Sequence, residues 1–359
     1  MKRTLRTSRV LAAGVIAVSL LASACSRAAE PSTPAPAPGQ STDKGPAAEL
    51  RLGYFPNVTH TSALIGLEKG FFAKELGNTK LVPTKFNDGP TEVGAFLGGS
   101  LDAGFIGSGP AINAFAKSKG EAVRLVAGGT SGGAQLVTTA EITKPEDLVG
   151  KVVVTPALGN TQDVSLKKWL ADKGLLGKVT VTNRENAQTL DAFKKGEVQA
   201  AWLPEPWSSR LVLEAGAKVF LDEKELWKDG KFPTTVLLVR TQFLQDHPQT
   251  VQALLRGLLA ANDYAKANEA DAKAAVNKQL EALTGKALAQ KTIDRAFTSI
   301  SLDTDPLAAT FPQLSKDAVT AKVADKETNL AGFVDVTNLN AVLKAAGKPE
   351  VDAAGLDKK

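Results

Sequence analysis

Ala95-Phe-Leu-Gly-Gly99-Ser-Leu-Asp-Ala-Gly-Phe-Ile106 lines up without gaps on Ala192-Phe-Lys-Lys-Gly196-Glu-Val-Gln-Ala-Ala-Trp-Leu203. In each copy an apolar-patterned helix stops at a glycine, and a polar residue then leads into an apolar strand. Upstream of each, a strand runs through proline into a polar turn: Tyr54-Phe-Pro-Asn57 in the first and Thr155-Pro-Ala-Leu-Gly-Asn160 in the second. Four elements repeated in one order predict two related lobes, each built from βαβ units on a mainly parallel sheet.

Working outward, Leu50–Phe55 reads as a strand and Ser62–Leu76 as a helix, with Ala63, Leu64, Leu67, Phe71 and Leu76 near helical spacing. Ala103–Ile106 and Val123–Ala127 read as buried strands. Two further strands are expected to cross between lobes: Ala134–Thr139 leaving the first and Thr234–Val239 returning to it. Everything beyond about residue 240 reads as helix: 249–267, 272–283, 290–300 and 317–322, all assigned to the first lobe. The expected division is lobe I over 48–139 plus 240–359 and lobe II over 140–239. The result is a clamshell with a hinged cleft.

The N-terminal segment has another character. Lys2, Arg3, Arg6 and Arg9 precede an apolar stretch, Val10–Leu21, that is short for a membrane span. Ala22, Ser23 and Ala24 then lead to Cys25, the only cysteine. The run resembles a bacterial lipobox, although Ala22 stands where that box more often has leucine. Residues 1–25 are thus expected to be a lipoprotein signal peptide, with Cys25 acylated and anchoring the chain to the membrane. Residues 26–47, with five prolines among small and polar residues, read as an extended tether.

The formal charge is +5, but four positives lie in the first nine residues, so the remainder is near +1. No basic run with interleaved aromatics occurs, and no nucleic-acid partner is expected. With two histidines and no cysteine beyond Cys25, neither a disulfide nor a Cys/His metal site is expected. No phosphate-loop or dinucleotide fingerprint is present either, and no cofactor is expected.

In open α/β sheets, ligands lie beyond the carboxyl ends of the strands. Five loops fall there: 56–61, 107–110, 128–133, 159–163 and 204–207, none containing lysine or arginine. Pro110 suits a first helical turn capped by Ser108 or Gly109, and Asn160 or Thr161 suits the cap of the helix through Leu170. Two such helix starts facing one another would form an anion site from backbone N–H groups and dipoles alone. Thr59, Thr61, Ser108, Thr130, Ser131 and Thr161 would add hydroxyl donors.

These loops carry a resemblance. Leu52-Gly-Tyr-Phe-Pro-Asn-Val-Thr-His60, Gly104-Phe-Ile-Gly-Ser-Gly-Pro110, Thr155-Pro-Ala-Leu-Gly-Asn-Thr-Gln-Asp163 and Trp202-Leu-Pro-Glu-Pro-Trp207 resemble the sulfonate/taurine/nitrate family of ABC-transporter solute-binding proteins. The likeness covers about residues 48–340. It implies a type II periplasmic-binding-protein fold and an extracytoplasmic, monomeric receptor for a small anionic solute, an aliphatic sulfonate or taurine. The receptor would deliver that solute to a permease with a cytoplasmic ATPase; nitrate or a pyrimidine (thiamine-precursor) ligand is the alternative. By motif position it implicates Asn57, Thr59, His60, Ser108, Gly109, Asn160, Thr161 and Gln162, with Trp202 and Glu205 on the opposite wall. Glu205 has three readings: partner of a ligand ammonium, contact for the permease, or helix cap.

One enzymatic pattern competes. Gly129-Thr-Ser131-Gly-Gly133 fits a nucleophile elbow, with Asp222 and His247 downstream in triad order. Such an elbow needs a helix after the serine, whereas Ala134–Thr139 reads as a strand. The expected activity is therefore binding without catalysis.

Overall fold

The computed structural model describes residues 43–358. The signal, Cys25 and nearly all of the tether lie outside the described residues. Strands β1 (Glu49–Tyr54), β2 (Lys80–Lys85), β3 (Ala103–Ile106) and β4 (Val123–Gly132) come first. They are followed by β5 (Ala134–Thr138), β6 (Val152–Thr155), β7 (Thr180–Asn183), β8 (Ala200–Pro204) and β9 (Lys218–Asp222). Strands β10 (Pro233–Arg240) and β11 (Ile300–Leu302) complete the set.

They form two sheets of the same design. The first runs β11-β4-β10-β3-β1-β2 and the second β7-β6-β8-β5-β9. In the first, β1, β2 and β3 are parallel and β10 is antiparallel to both β3 and β4. In the second, β6, β7 and β8 are parallel and β5 is antiparallel to β8 and β9. Each sheet is thus three parallel strands followed by one antiparallel strand, which is the repeat read from residues 95–106 and 192–203. The two repeat glycines, Gly99 and Gly196, have φ of +70° and +73°, the left-handed geometry that ends a helix and that glycine adopts without strain.

Strand membership shifts the expected crossing points. β5 belongs to the second sheet and β10 to the first, so the chain changes sheets at Gly133 and again just before Pro233. Gly132 and Gly133 both have positive φ, +72° and +81°, where the backbone leaves one sheet for the other.

The helices before β5 are α1 (Thr61–Glu68), α2 (Phe71–Leu76), α3 (Gly89–Leu97) and α4 (Ser108–Lys117). Those of the second sheet are α5 (Thr161–Asp172), α6 (Asn186–Lys194) and α7 (Trp207–Ala215). The C-terminal set is α8 (Thr241–Asp246), α9 (Pro248–Ala267), α10 (Glu269–Thr284), α11 (Gln290–Thr298), α12 (Phe311–Thr320) and α13 (Thr337–Ala345). The single helix expected over 62–76 is two, broken at Gly70, whose φ of +72° no helix interior accepts. The all-helical reading beyond 240 missed β11, which pairs antiparallel with β4. It also began α12 at residue 317, six residues late.

Helix α9 packs on α1, α2 and α13, closing the larger core that includes Phe72, Phe105, Phe311 and Phe333. Two smaller clusters flank the second sheet, one around Trp202 and Leu166 and the other around Leu203 and Phe193. Two C-terminal helices reach across: α11 packs on α7, and α12 packs on both α4 and α5.

Candidate functional site

The repeat places equivalent loops face to face. The turns after β1 and β3 on one side meet the turns after β6 and β8 on the other. Helices α4 and α5 start at this junction, with extended caps at Gly107 and Asn160. Gly109 N–H donates to Thr161 Oγ1 at 3.2 Å, and Gly89 N–H, at the start of α3, donates to Asn160 Oδ1 at 3.1 Å. The two helix starts approach closely at Gly109, where a Cβ would lie a tight 3.3 Å from Thr161 Cα. Further along, Trp207 Nε1 donates to Asn57 Oδ1 at 3.0 Å, and Thr59 N–H donates to the Glu205 carbonyl at 3.3 Å.

These contacts enclose a cavity of about 30 Å³ lined by Phe55, His60, Asn160, Thr161, Gln162 and Asn186, together with Asn87, Pro204 and Thr234. None of its lining residues is Asp, Glu, Lys or Arg. His60 is buried and stacked on Phe55, with ring centroids 4.6 Å apart. Burial pushes its imidazole down to about 3, so the ring is neutral. Phe55 N–H donates to Nδ1 at 3.3 Å, which leaves the ring proton on Nε2 as a donor. The Ser108 hydroxyl at the start of α4, the Thr130 hydroxyl on β4 and the Asn186 amide oxygen are buried and without a hydrogen-bond partner.

Of the residues singled out from sequence, His60, Asn160, Thr161 and Gln162 line this cavity. Asn57, Thr59 and Gly109 join the surrounding loops through the contacts above, and Ser108 follows the lining residue Gly107. Thr130, Ser131, Trp202 and Glu205 are not among its lining residues. Trp202 is wholly buried in the core of the second sheet, its Nε1 donating to Glu223 Oε2 at 3.4 Å. The tryptophan that does stand at the junction is Trp207, five residues on. Ser131 holds the crossing, its Oγ accepting from Phe232 N–H at 3.1 Å. As for the competing triad, Asp222 accepts from Gln135 Nε2 and His247 Nδ1 bonds the Gly45 carbonyl, and Ser131 is followed by a strand.

Glu205 is fully buried and does not point at the cavity's donors. Its Oε2 accepts from Ser209 N–H at 3.1 Å in the first turn of α7, and its Oε1 pairs with Arg295 at 3.2 Å. Of the three readings, the helix cap is the one with contacts. Burial pushes its carboxyl up, and the Ser209, Ser208 and Arg295 groups work against that rise. Arg295 also donates to Ser209 Oγ at 2.7 Å and Gln135 Oε1 at 2.8 Å. It rides on α11, which leads into β11 of the first sheet, so one guanidinium joins the two halves. Sequence reasoning passed over Arg295 because it considered cations only in the five loops. Asn87 and Asn186, just beyond β2 and β7, were also missed, because both lie outside the aligned repeat segments. Asp163, an acid in one of the loops, is taken up by Thr155, Asn183, Gly159 and Lys167.

Two sheets of one design, joined by two crossings and facing across a cavity of helix starts, define the type II periplasmic-binding-protein fold. The chain belongs to the NMT1-like family, which matches residues 43–278. It is 30% identical over 201 residues to the taurine-binding periplasmic protein of Escherichia coli K12, covering 55% of this chain and 61% of that one. It thus spans about three-fifths of that relative's length. It is 26% identical over 258 residues to the nitrate/nitrite binding protein NrtA of Nostoc, covering 64% and 57% of the two chains. Among solved structures it is similar to nitrate-binding NrtA of Synechocystis PCC 6803, with a TM-score of 0.69 and 17% identity over 84% of this chain and 90% of that one. The alkanesulfonate-binding protein SsuA of Xanthomonas axonopodis, bound to MOPS, gives 0.64 and 22% over 77% and 92%.

Proposed function

We propose that this chain is the extracytoplasmic solute-binding component of an ABC importer. It captures a small organic anion, an aliphatic sulfonate in the first place, between its lobes. The carrying observation is a cavity with no formal charge, set between the N-termini of α4 and α5 and furnished with neutral donors. A sulfonate is ionised at every physiological pH, so aligned N–H groups, hydroxyls and His60 Nε2–H suffice to hold it. Thr130, Ser131, Trp202 and Glu205 were candidates for the same role; of these, only Thr130 has a free hydroxyl that favours it. With Glu205 engaged by Arg295, a ligand ammonium has no carboxylate partner, which favours a plain sulfonate over zwitterionic taurine.

The lobes in this reading are 48–132 plus 233–359 and 134–232, and their parting admits the solute. The relatives' names, taurine-binding and nitrate/nitrite binding, support a receptor over an enzyme. An exported chain held at the membrane through Cys25, working as a monomer with a permease and its ATPase, completes the proposal. No helix among the described residues is long and apolar enough to cross a membrane.

The test is calorimetry of the full chain with methanesulfonate, taurine, nitrate and sulfate. Thr161→Ala combined with Ser108→Ala is expected to weaken binding of the preferred anion at least about tenfold, the effect of removing two hydrogen-bond donors of roughly 1 kcal/mol each. The melting temperature without ligand should hardly move. Unchanged affinity in that double variant removes these loops from the site.

A further inference from the structure

The first crossing between the sheets is spanned by a separate piece of chain. Strand β11 pairs with β4 on the near side of it, with Ile300 opposite Gly132 and Ser301 opposite Ser131. Helix α11, just before β11, carries Arg295 over to the far side. There the guanidinium donates to Gln135 Oε1 on β5, to Ser209 Oγ on α7 and to Glu205 Oε1. Ile300 overlies the crossing itself, since a Cβ on Gly133 would lie 2.5 Å from Ile300 Cγ2.

The contacts on the far side lead to the polar cavity. Glu205 N–H donates to the Gly133 carbonyl at 2.8 Å, and the Glu205 carbonyl accepts from Thr59 N–H. Its neighbour Pro204 lines the cavity from the second half, and His60, next to Thr59, lines it from the first. Helix α11 packs both on the turn of residues 58–60 and on α7. Neither Arg295 nor Glu205 lines the cavity. One short piece of the first half is thus bonded to both sides of a hinge, and the placing of Pro204 relative to His60 follows from the angle there.

We propose that α11 and β11 form a bracket over the hinge and that Arg295 is its positioning residue. It sets the angle at which the halves face, and so how well the cavity holds a solute that it never touches. The proposal rests on the function proposed above and adds to it a control on closure. A solute held between two walls is bound fully only when both are in place. Its apparent affinity therefore scales with the fraction of the chain in that arrangement. A guanidinium suits the task, because its planar fork serves three acceptors from one fixed position, which the single ammonium of a lysine does less well.

Arg295→Met alone strands the Glu205 carboxylate, so the test variant combines it with Glu205→Gln, whose amide oxygen can still accept from Ser209 N–H. Calorimetry with methanesulfonate and small-angle X-ray scattering compare the full-length variant with the wild type. Affinity is expected to fall at least about tenfold, as when the closed fraction drops to about a tenth. The stability lost in Arg295→Met should be largely regained, which separates positioning from folding. Without solute the variant should show the larger radius of gyration, and saturating methanesulfonate should return it to the wild-type value. A variant that binds like the wild type overturns the bracket. So does one that binds more weakly at an unchanged radius, since its loss then has another source. If the wild type binds no methanesulfonate, the sulfonate reading fails, and the radii of the two chains decide the bracket alone.

Discussion

Three glutamates are wholly buried among the described residues, Glu92, Glu205 and Glu223, and the molecule treats the first two in opposite ways. Glu92, on α3, lies against the first sheet where Gly53 and Gly104 leave room; a Cβ on either would collide with its Oε1. Neither of its carboxyl oxygens has a hydrogen-bond partner among the described residues, and burial alone pushes its carboxyl well up. Glu205, at the junction, is just as buried but sits on a helix N-terminus beside Arg295. One acid has desolvation alone acting on it, and the other is given a cation and a dipole that work against the same upward push. The cation that Glu205 receives comes from a helix of the other half of the molecule, so this buried acid is partnered across the junction.

That contrast breaks most visibly at Arg295. Arg295→Met leaves Glu205 buried beside Ser209 with no cation, and such a change costs about 3 kcal/mol. Urea unfolding at neutral pH should show a loss of that order. Glu205→Gln in the same chain should recover much of it, because the remaining pair no longer includes an uncompensated charge. If the double variant is as unstable as Arg295→Met, the pair is not what Arg295 serves.

The polar cavity supplies the next comparison, since His60 is a buried base held neutral there. Its folded value of about 3 lies below the ordinary 6.5, so the unfolded chain takes up the proton first. The stability that follows is complete above pH 6.5 and is lost as pH falls toward 3. Between pH 6.5 and 5 the His60 contribution should fall by about 2 kcal/mol, and a His60→Gln variant should lack that part of the slope. Parallel wild-type and variant profiles over this window would mean that the ring is not held neutral.

What the sequence made legible follows from how local each signal is. The helix–glycine–strand repeat lies within twelve residues, so it predicted both lobes and their matching sheets. The cap at Asn160 and the donors around His60 and Thr161 were readable for the same reason, because turn chemistry is local. Strand β11 was not, because Ile300–Leu302 becomes a strand only through β4, more than 160 residues earlier. Arg295 was missed on the same ground: nothing near it in the chain points to Glu205. Trp202 shows a different limit. Alternation along β8 puts Trp202 and Leu203 on opposite faces, but it does not say which face meets a core and which a cleft, and both faces of this sheet are covered.

Glu92 gives the smallest and most specific effect. Its raised carboxyl means that the folded state binds the proton more tightly than the unfolded chain does. The penalty is therefore absent below the ordinary carboxylate range and grows as pH rises through it. Glu92→Met keeps roughly the same volume and removes two unpaired oxygens, so it should stabilise the protein by about 1 kcal/mol at neutral pH. The gain should be larger at pH 8 than at pH 5, because only the wild type has a proton to lose. Denaturation midpoints of the two proteins at both values decide the matter. A gain that stays constant with pH would assign the effect to packing, and a loss would mean that the space between Gly53 and Gly104 needs the carboxyl's shape. Either result would undo the contrast with Glu205, since the neutral acid would then be a structural part in its own right and not a charge the fold has left unpaired.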